Sequence, residues 1–123
     1  MAARAELLFT ENFAANLDAI QSFLESQGRG AFKGLLSRIF DDICPTLSRF
    51  PQSGRSFLAH RIGSAAAQIV VDRLRGVIHH GDELREFTVD DYIILYLVRR
   101  RRIYFLAIKH HRQLSFDLRR FWP

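Results

Sequence analysis

Sixteen of the eighteen basic residues in this 123-residue chain are arginine, and four stand side by side as Arg99-Arg100-Arg101-Arg102. A guanidinium offers a planar fork of donors that matches phosphate and carboxylate oxygens in pairs, which the point charge of lysine does not. Lys109, Arg112, Arg119 and Arg120 follow, so residues 99–123 hold eight Lys or Arg against Asp117 alone, whereas residues 1–98 hold ten against twelve acids. The net charge of +5 therefore comes from the C-terminal fifth. It points to an anionic partner, a nucleic acid or an acidic peptide. The run at 99–102 would equally serve as a solvated hairpin turn that blocks edge association. His110 and His111 change charge near neutral pH, which suits acid or base work beside a phosphate. Phe121 and Trp122 make an aromatic end that would be a partner site if it does not pack.

Other chemistries find little support. The five histidines (His60, His79, His80, His110 and His111) lack the flanking acids or cysteines of a metal motif, and no metal or cofactor is expected. Cys44 is the single cysteine and has no basic neighbour to activate it, so it implies neither a disulfide nor a reactive thiol. Gly28-Arg29-Gly30 has no phosphate-loop pattern around it. Residues 1–9 lack the apolar core of a secretion signal, and no apolar run approaches the ~18 residues a membrane span needs. The expectation is a cytoplasmic chain without a membrane anchor, folded as one domain over residues 1–123.

The elements that must position these groups follow from periodicity. Glu6–Phe9 reads as a strand that stops at Thr10, an N-cap followed by Glu11 in the first helical turn. Phe13, Leu17, Ile20 and Leu24 then mark one face of a helix ending near Gly28. Phe32, Leu35, Leu36, Ile39, Phe40 and Ile43 repeat that period, so a second helix turns back on the first, to be kinked or ended by Pro45. Arg49–Gly54 is a turn-rich exit. Residues 64–80 read as a third helix, capped by Ser64 and stopped at Gly81, although Ile69-Val70-Val71 would also suit a strand. Leu84–Val89, Tyr92–Val98 and Ile103–Lys109 read as a three-stranded antiparallel meander. In the last strand Tyr104, Leu106 and Ile108 should share one face and Phe105 and Ala107 the other, so both faces of the sheet should be largely buried. Helices should cover one face of the sheet, and residues 112–123 have the spacing of a short final helix.

The ordered set Phe50-Pro51-Gln52-Ser53-Gly54, Leu84-Arg85-Glu86, Asp91–Tyr96 and Leu106–Arg112 resembles the RelE/ParE superfamily of toxins from type II toxin–antitoxin (plasmid stabilisation) systems, the ParE-like branch above all. The resemblance implies an α+β fold, with an N-terminal strand and helical hairpin packed on the meander. It sets apart an extra helical segment at about 57–82, longer than the family's usual connector. It also implies a cognate antitoxin as partner, in a toxin–antitoxin hetero-oligomer or, for the isolated chain, a homodimer.

Two modes of growth inhibition follow from the resemblance. A ParE-like toxin acts on DNA gyrase through a surface, which fits the long hairpin and the Lys109-His110-His111-Arg112 ending. A RelE-like toxin is a ribosome-dependent mRNA endonuclease, in which Arg85 would steady the scissile phosphate, His110 or His111 would act as acid or base, and Tyr92 or Tyr96 would stack on or position a base. The position after Tyr92, often basic in the family, is Ile93 here. A third reading is a degenerate, non-toxic binding module whose 57–82 segment covers the old site.

Overall fold

The structure is a computed structural model, and it describes residues 4–28, 30–57, 65–113 and 116–118, leaving aside the side chain of Ala66. Strand β1 (Glu6–Phe9) leads into helix α1 (Glu11–Glu25). The return helix is built from α2 (Ala31–Ser37), a π-helical turn (Arg38–Ile43) and α3 (Cys44–Arg49). A short β2 (Arg55–Ser56), helix α4 (Ala65–Leu74) and the strands β3 (Glu83–Val89), β4 (Tyr92–Arg99) and β5 (Arg102–His110) complete the order. The sheet runs β1-β5-β4-β3-β2, with β1 parallel to β5 and the other pairs antiparallel. The meander thus gains an edge strand on each side.

Thr10 caps α1 as its position predicts: its Oγ1 accepts from the Phe13 N–H at 3.2 Å and donates to the Phe105 carbonyl at 2.7 Å. Pro45 does not end the second helix. The turn before it widens so that the Cys44 N–H reaches the Ile39 carbonyl, five residues back, which gives the proline ring room where a tight α-turn would press it onto the carbonyl of residue 41. The helix then runs on to Arg49. Helix α4 forms where the third helix was expected, but it ends at Leu74 rather than near Gly81, because Gly76 takes the left-handed φ of +92° that closes a helix. Its expected cap, Ser64, lies outside the described residues.

Both faces of the sheet are buried, as the apolar character of both sides of the last strand predicts, but helices lie on both rather than on one. On the first, Phe13, Ile20, Leu35, Ile39 and Leu47 of the hairpin pack on Tyr92, Ile94, Tyr96, Ile103, Phe105 and Ile108. On the second, Ala67, Val70 and Leu74 of α4 join Phe57, Phe116 and Leu118 over Leu84, Ile93, Leu95, Leu97, Leu106 and Ala107. A β-bulge makes this division possible: Leu95 pairs with Ala107 and Tyr96 with Phe105, leaving Leu106 as the extra residue. Simple alternation fails there, so Ile108 shares the face of Phe105, not of Leu106. Residues 116–118 form no helix, and Arg119, Arg120, Phe121 and Trp122 lie outside the described residues.

Past Phe9, β1 no longer pairs with β5, and α1 supplies the missing partners. Asn12 Nδ2 donates to the Leu106 carbonyl at 2.9 Å and to the Asp117 carbonyl at 2.8 Å, and Asn16 Oδ1 accepts from the Ile108 N–H at 3.0 Å. Two buried amides on a helix thus replace a strand and hold the C-terminal segment in place.

Candidate functional site

Three of the stretches that carry the family resemblance lock onto one another. Tyr96 is fully buried, its hydroxyl donating to the Pro51 carbonyl at 2.8 Å and accepting from the Gly54 N–H at 2.9 Å. Burial raises the pKa of this phenol, which keeps it a donor. Arg85, on the neighbouring strand opposite Tyr96, donates to the carbonyl oxygens of Gly54 and Gln52 and lies 3.3 Å from Glu83. Glu86 turns to the other face, where its fully buried carboxylate meets Arg55 at 3.1 Å. The Leu-Arg-Glu strand therefore holds the Phe-Pro-x-x-Gly turn and β2.

Of the proposed catalytic groups, Tyr92, His110 and His111 are neighbours, and Arg85 stands apart from them. His110 pairs with Tyr92 across β4 and β5, at the opposite end of the first face from Arg85. Four residues of rise and two strand spacings put them roughly 16 Å apart. His111 lies 3.8 Å from Asp91 and stacks on His110 with ring centroids 4.5 Å apart. Burial, together with the charge of Asp91, raises the Tyr92 phenol, so it is poorly placed to become a phenolate base.

What the structure does assemble at that end is a groove of about 550 Å³ between α1 and the end of β4–β5. Ala19, Ile20, Phe23 and Ile108 give it an apolar floor and wall, with Tyr92, His110 and Arg112 at its side. Phe23, 62% exposed, stands at the edge of this groove. Helical periodicity does not single it out, since it stands beside the core stripe rather than on it.

The basic run divides. Arg99 is bound on both sides by Asp82, at 3.0 and 2.7 Å, donates to the Val77 carbonyl at 2.9 Å and covers the Tyr104 ring. It ties the α4–β3 connection to the sheet. Lys109 points into the second face, donating to the Gln113 carbonyl at 2.8 Å with the Phe116 ring 5.3 Å away. Arg100, Arg101 and Arg102 remain at the surface, joined by Arg4 in a groove of about 670 Å³. Cys44 is buried, and burial raises its thiol to about 11, so it is inert at neutral pH.

Burial of Asp82 works against its charge, but the hydrogen bonds from Arg99 and the His79 N–H outweigh it and hold the carboxyl below the ordinary aspartate value of about 3.9. The stability this gives is present above that value and lost as the pH falls through the lower, folded one. Asp82→Asn should therefore melt below wild type at pH 7, with the gap narrowing below about pH 4 in thermal unfolding followed by circular dichroism. A gap independent of pH would remove the ion pair as its cause.

Among the described residues no helix is long and apolar enough to cross a membrane, and no cluster of His, Cys, Asp and Glu has the form of a metal site. The architecture and the interlocked motifs define a toxin of the RelE/ParE-like α+β class. The chain matches, over residues 7–115, the family described as ParE toxin of type II toxin-antitoxin system, parDE. It belongs to that ParE toxin family, a class that implies an antitoxin partner. No curated protein matches the chain.

Proposed function

We propose that this chain inhibits growth without catalysing a reaction, by engaging DNA gyrase through its surface, and that its antitoxin occupies the groove beside α1. The observation that carries the first part is the placement of Arg85. Its guanidinium donates to the Gln52 and Gly54 carbonyls, at the far end of the face from His110. A phosphate held between them would meet one group or the other, and acid–base cleavage of RNA needs both within reach of one scissile bond. Ile93, at the position often basic in the family, is buried in the second face on which α4 packs. Titration of the purified chain into a gyrase supercoiling reaction should abolish the supercoiled product, and Tyr92→Phe should do so equally well. Unimpaired supercoiling at stoichiometric excess would overturn this reading.

The groove beside α1 has the form that receives an amphipathic segment, an apolar floor with polar groups and the Arg112 guanidinium at its side. Phe23→Asp changes an exposed ring, so folding should be unaffected while antitoxin affinity falls by about 30-fold or more, as for an aromatic anchor. Calorimetric titration with the antitoxin reads this directly. Undiminished affinity would place the antitoxin elsewhere.

The mRNA-endonuclease reading keeps one observation, the gathering of Tyr92, His110 and Arg112 around a single groove. Ribosome-dependent cleavage lost in His110→Ala would favour it.

A further inference from the structure

The two ends of the sheet differ in charge. At the β3–β4 turn stand Asp90 and Asp91, with Arg38 bridging Asp42 and Asp90 at 2.8 and 3.7 Å. The opposite end, at the β4–β5 turn, carries a groove lined by Arg4, Glu6, Arg99, Arg100, Arg101 and Arg102. Arg99 is neutralised by Asp82, and Arg102 faces Glu6 at 3.7 Å with both side chains about 60% exposed, a weak pair in water. Among the described residues no carboxylate lies within ion-pair range of Arg4, Arg100 or Arg101. Arg4, Arg100 and Arg101 thus line one groove whose one acid, Glu6, faces Arg102 instead.

Turn geometry does not explain this concentration. Arg100 has φ +56°, a left-handed conformation that favours glycine or asparagine and that a long side chain adopts at a cost. A residue chosen to make the turn would not be arginine. We propose that this end of the sheet is a phosphate clamp that binds the backbone of duplex DNA without reading its sequence.

The lining decides between anionic partners. It has no apolar side chain, so an acidic peptide would find charge but no anchor to bury. It has no aromatic side chain either, and the nearby Tyr104 ring is covered by Arg99, so unpaired bases would find nothing to stack on. What remains is a polyanion recognised by charge and fork geometry alone. A duplex, with one charge per ~1.7 Å of its axis, presents several phosphates to a groove of this size. The proposal goes beyond the gyrase reading and stands or falls independently of it.

The test is fluorescence anisotropy of a labelled 20-base-pair duplex of arbitrary sequence with the full chain, between about 50 and 200 mM salt. The logarithm of the binding constant should fall linearly with the logarithm of salt concentration. In the double variant Arg100→Gly/Arg101→Gln the slope should become shallower by about 2, one for each phosphate left without its arginine, with affinity reduced at every salt concentration. The single variant Arg100→Gly separates binding from folding, because its melting temperature should equal or exceed that of wild type by about 3 °C while its binding weakens. Unchanged affinity and slope in the double variant would overturn the proposal. So would tighter binding of a single strand of equal length, or displacement of the duplex by polyglutamate at equal charge concentration.

Discussion

Gly54→Ala is expected to lose about 4 kcal/mol of stability, the sum of overpacking and a broken buried hydrogen bond. A Cβ built at Gly54 would lie 2.5 Å from both the Glu86 carbonyl oxygen and the Tyr96 hydroxyl, and 2.8 Å from Tyr96 Cε1. None of these can retreat easily: the first is backbone in β3, and the Tyr96 ring is fully buried and held by Pro51. Relief would require the turn to lift, releasing the Gly54 N–H from Tyr96 and its carbonyl from Arg85. For a chain of this size the loss corresponds to a fall of about 15 °C in melting temperature. Gly34→Ala is the matched control, since a Cβ there meets no atom within 4 Å and alanine favours the helix. Equal melting temperatures for Gly54→Ala and wild type would mean that the turn is not clamped as described.

The second large effect is expected at Asn16. Asn16→Leu keeps a similar size and raises helix propensity, but leaves the Ile108 N–H facing an apolar side chain where β1 has already ended. An unsatisfied buried amide costs about 1–3 kcal/mol, and Asn16 also reaches toward the Asp117 carbonyl at 3.3 Å. The loss should be about 2 kcal/mol in denaturant unfolding. Hydrogen exchange supplies the residue-level check: protection of the Ile108 amide should fall relative to that of Ile94, which sits in the middle of the sheet. Equal protection in the variant would show that β5 needs no partner from α1.

These two sites mark where the sequence was hardest to read. The hairpin and meander were legible because Phe13, Leu17 and Ile20 carry the period of a helix and Leu84–Val89, Tyr92–Val98 and Ile103–Lys109 the composition of strands. Asn12 and Asn16 were not, since amides beside an apolar stripe look like its solvent edge, and only the early end of β1 turns them inward. Gly54 was legible as part of a turn, but its close approach to Glu86 and Tyr96 is a tertiary fact. The Leu106 bulge defeats strict alternation, and the π-turn before Pro45 lets a helix pass a residue that ordinarily stops one. That both faces are buried was legible in the apolar alternation of the last strand, but which elements cover the second one, α4 and Phe116, is a tertiary fact.

The site was legible in part. Arginine chemistry at the β4–β5 turn was evident from composition, and Arg100, Arg101 and Arg102 do stand at the surface there. Arg99 and Lys109 belong to the same basic stretch but are drawn into structural contacts by Asp82, Gln113 and Phe116. Arg85 and His110 both lie on strands of one face, and only the register of β3, β4 and β5 shows how far apart it holds them.

The claim that this ParE-family chain arrests growth without cutting RNA is tested most directly by induced expression in bacteria, with and without its antitoxin, followed by total RNA integrity and the topology of a reporter plasmid. The account predicts arrest relieved by the antitoxin, intact messenger RNA and altered plasmid supercoiling. Cleaved messenger RNA with normal supercoiling would contradict it.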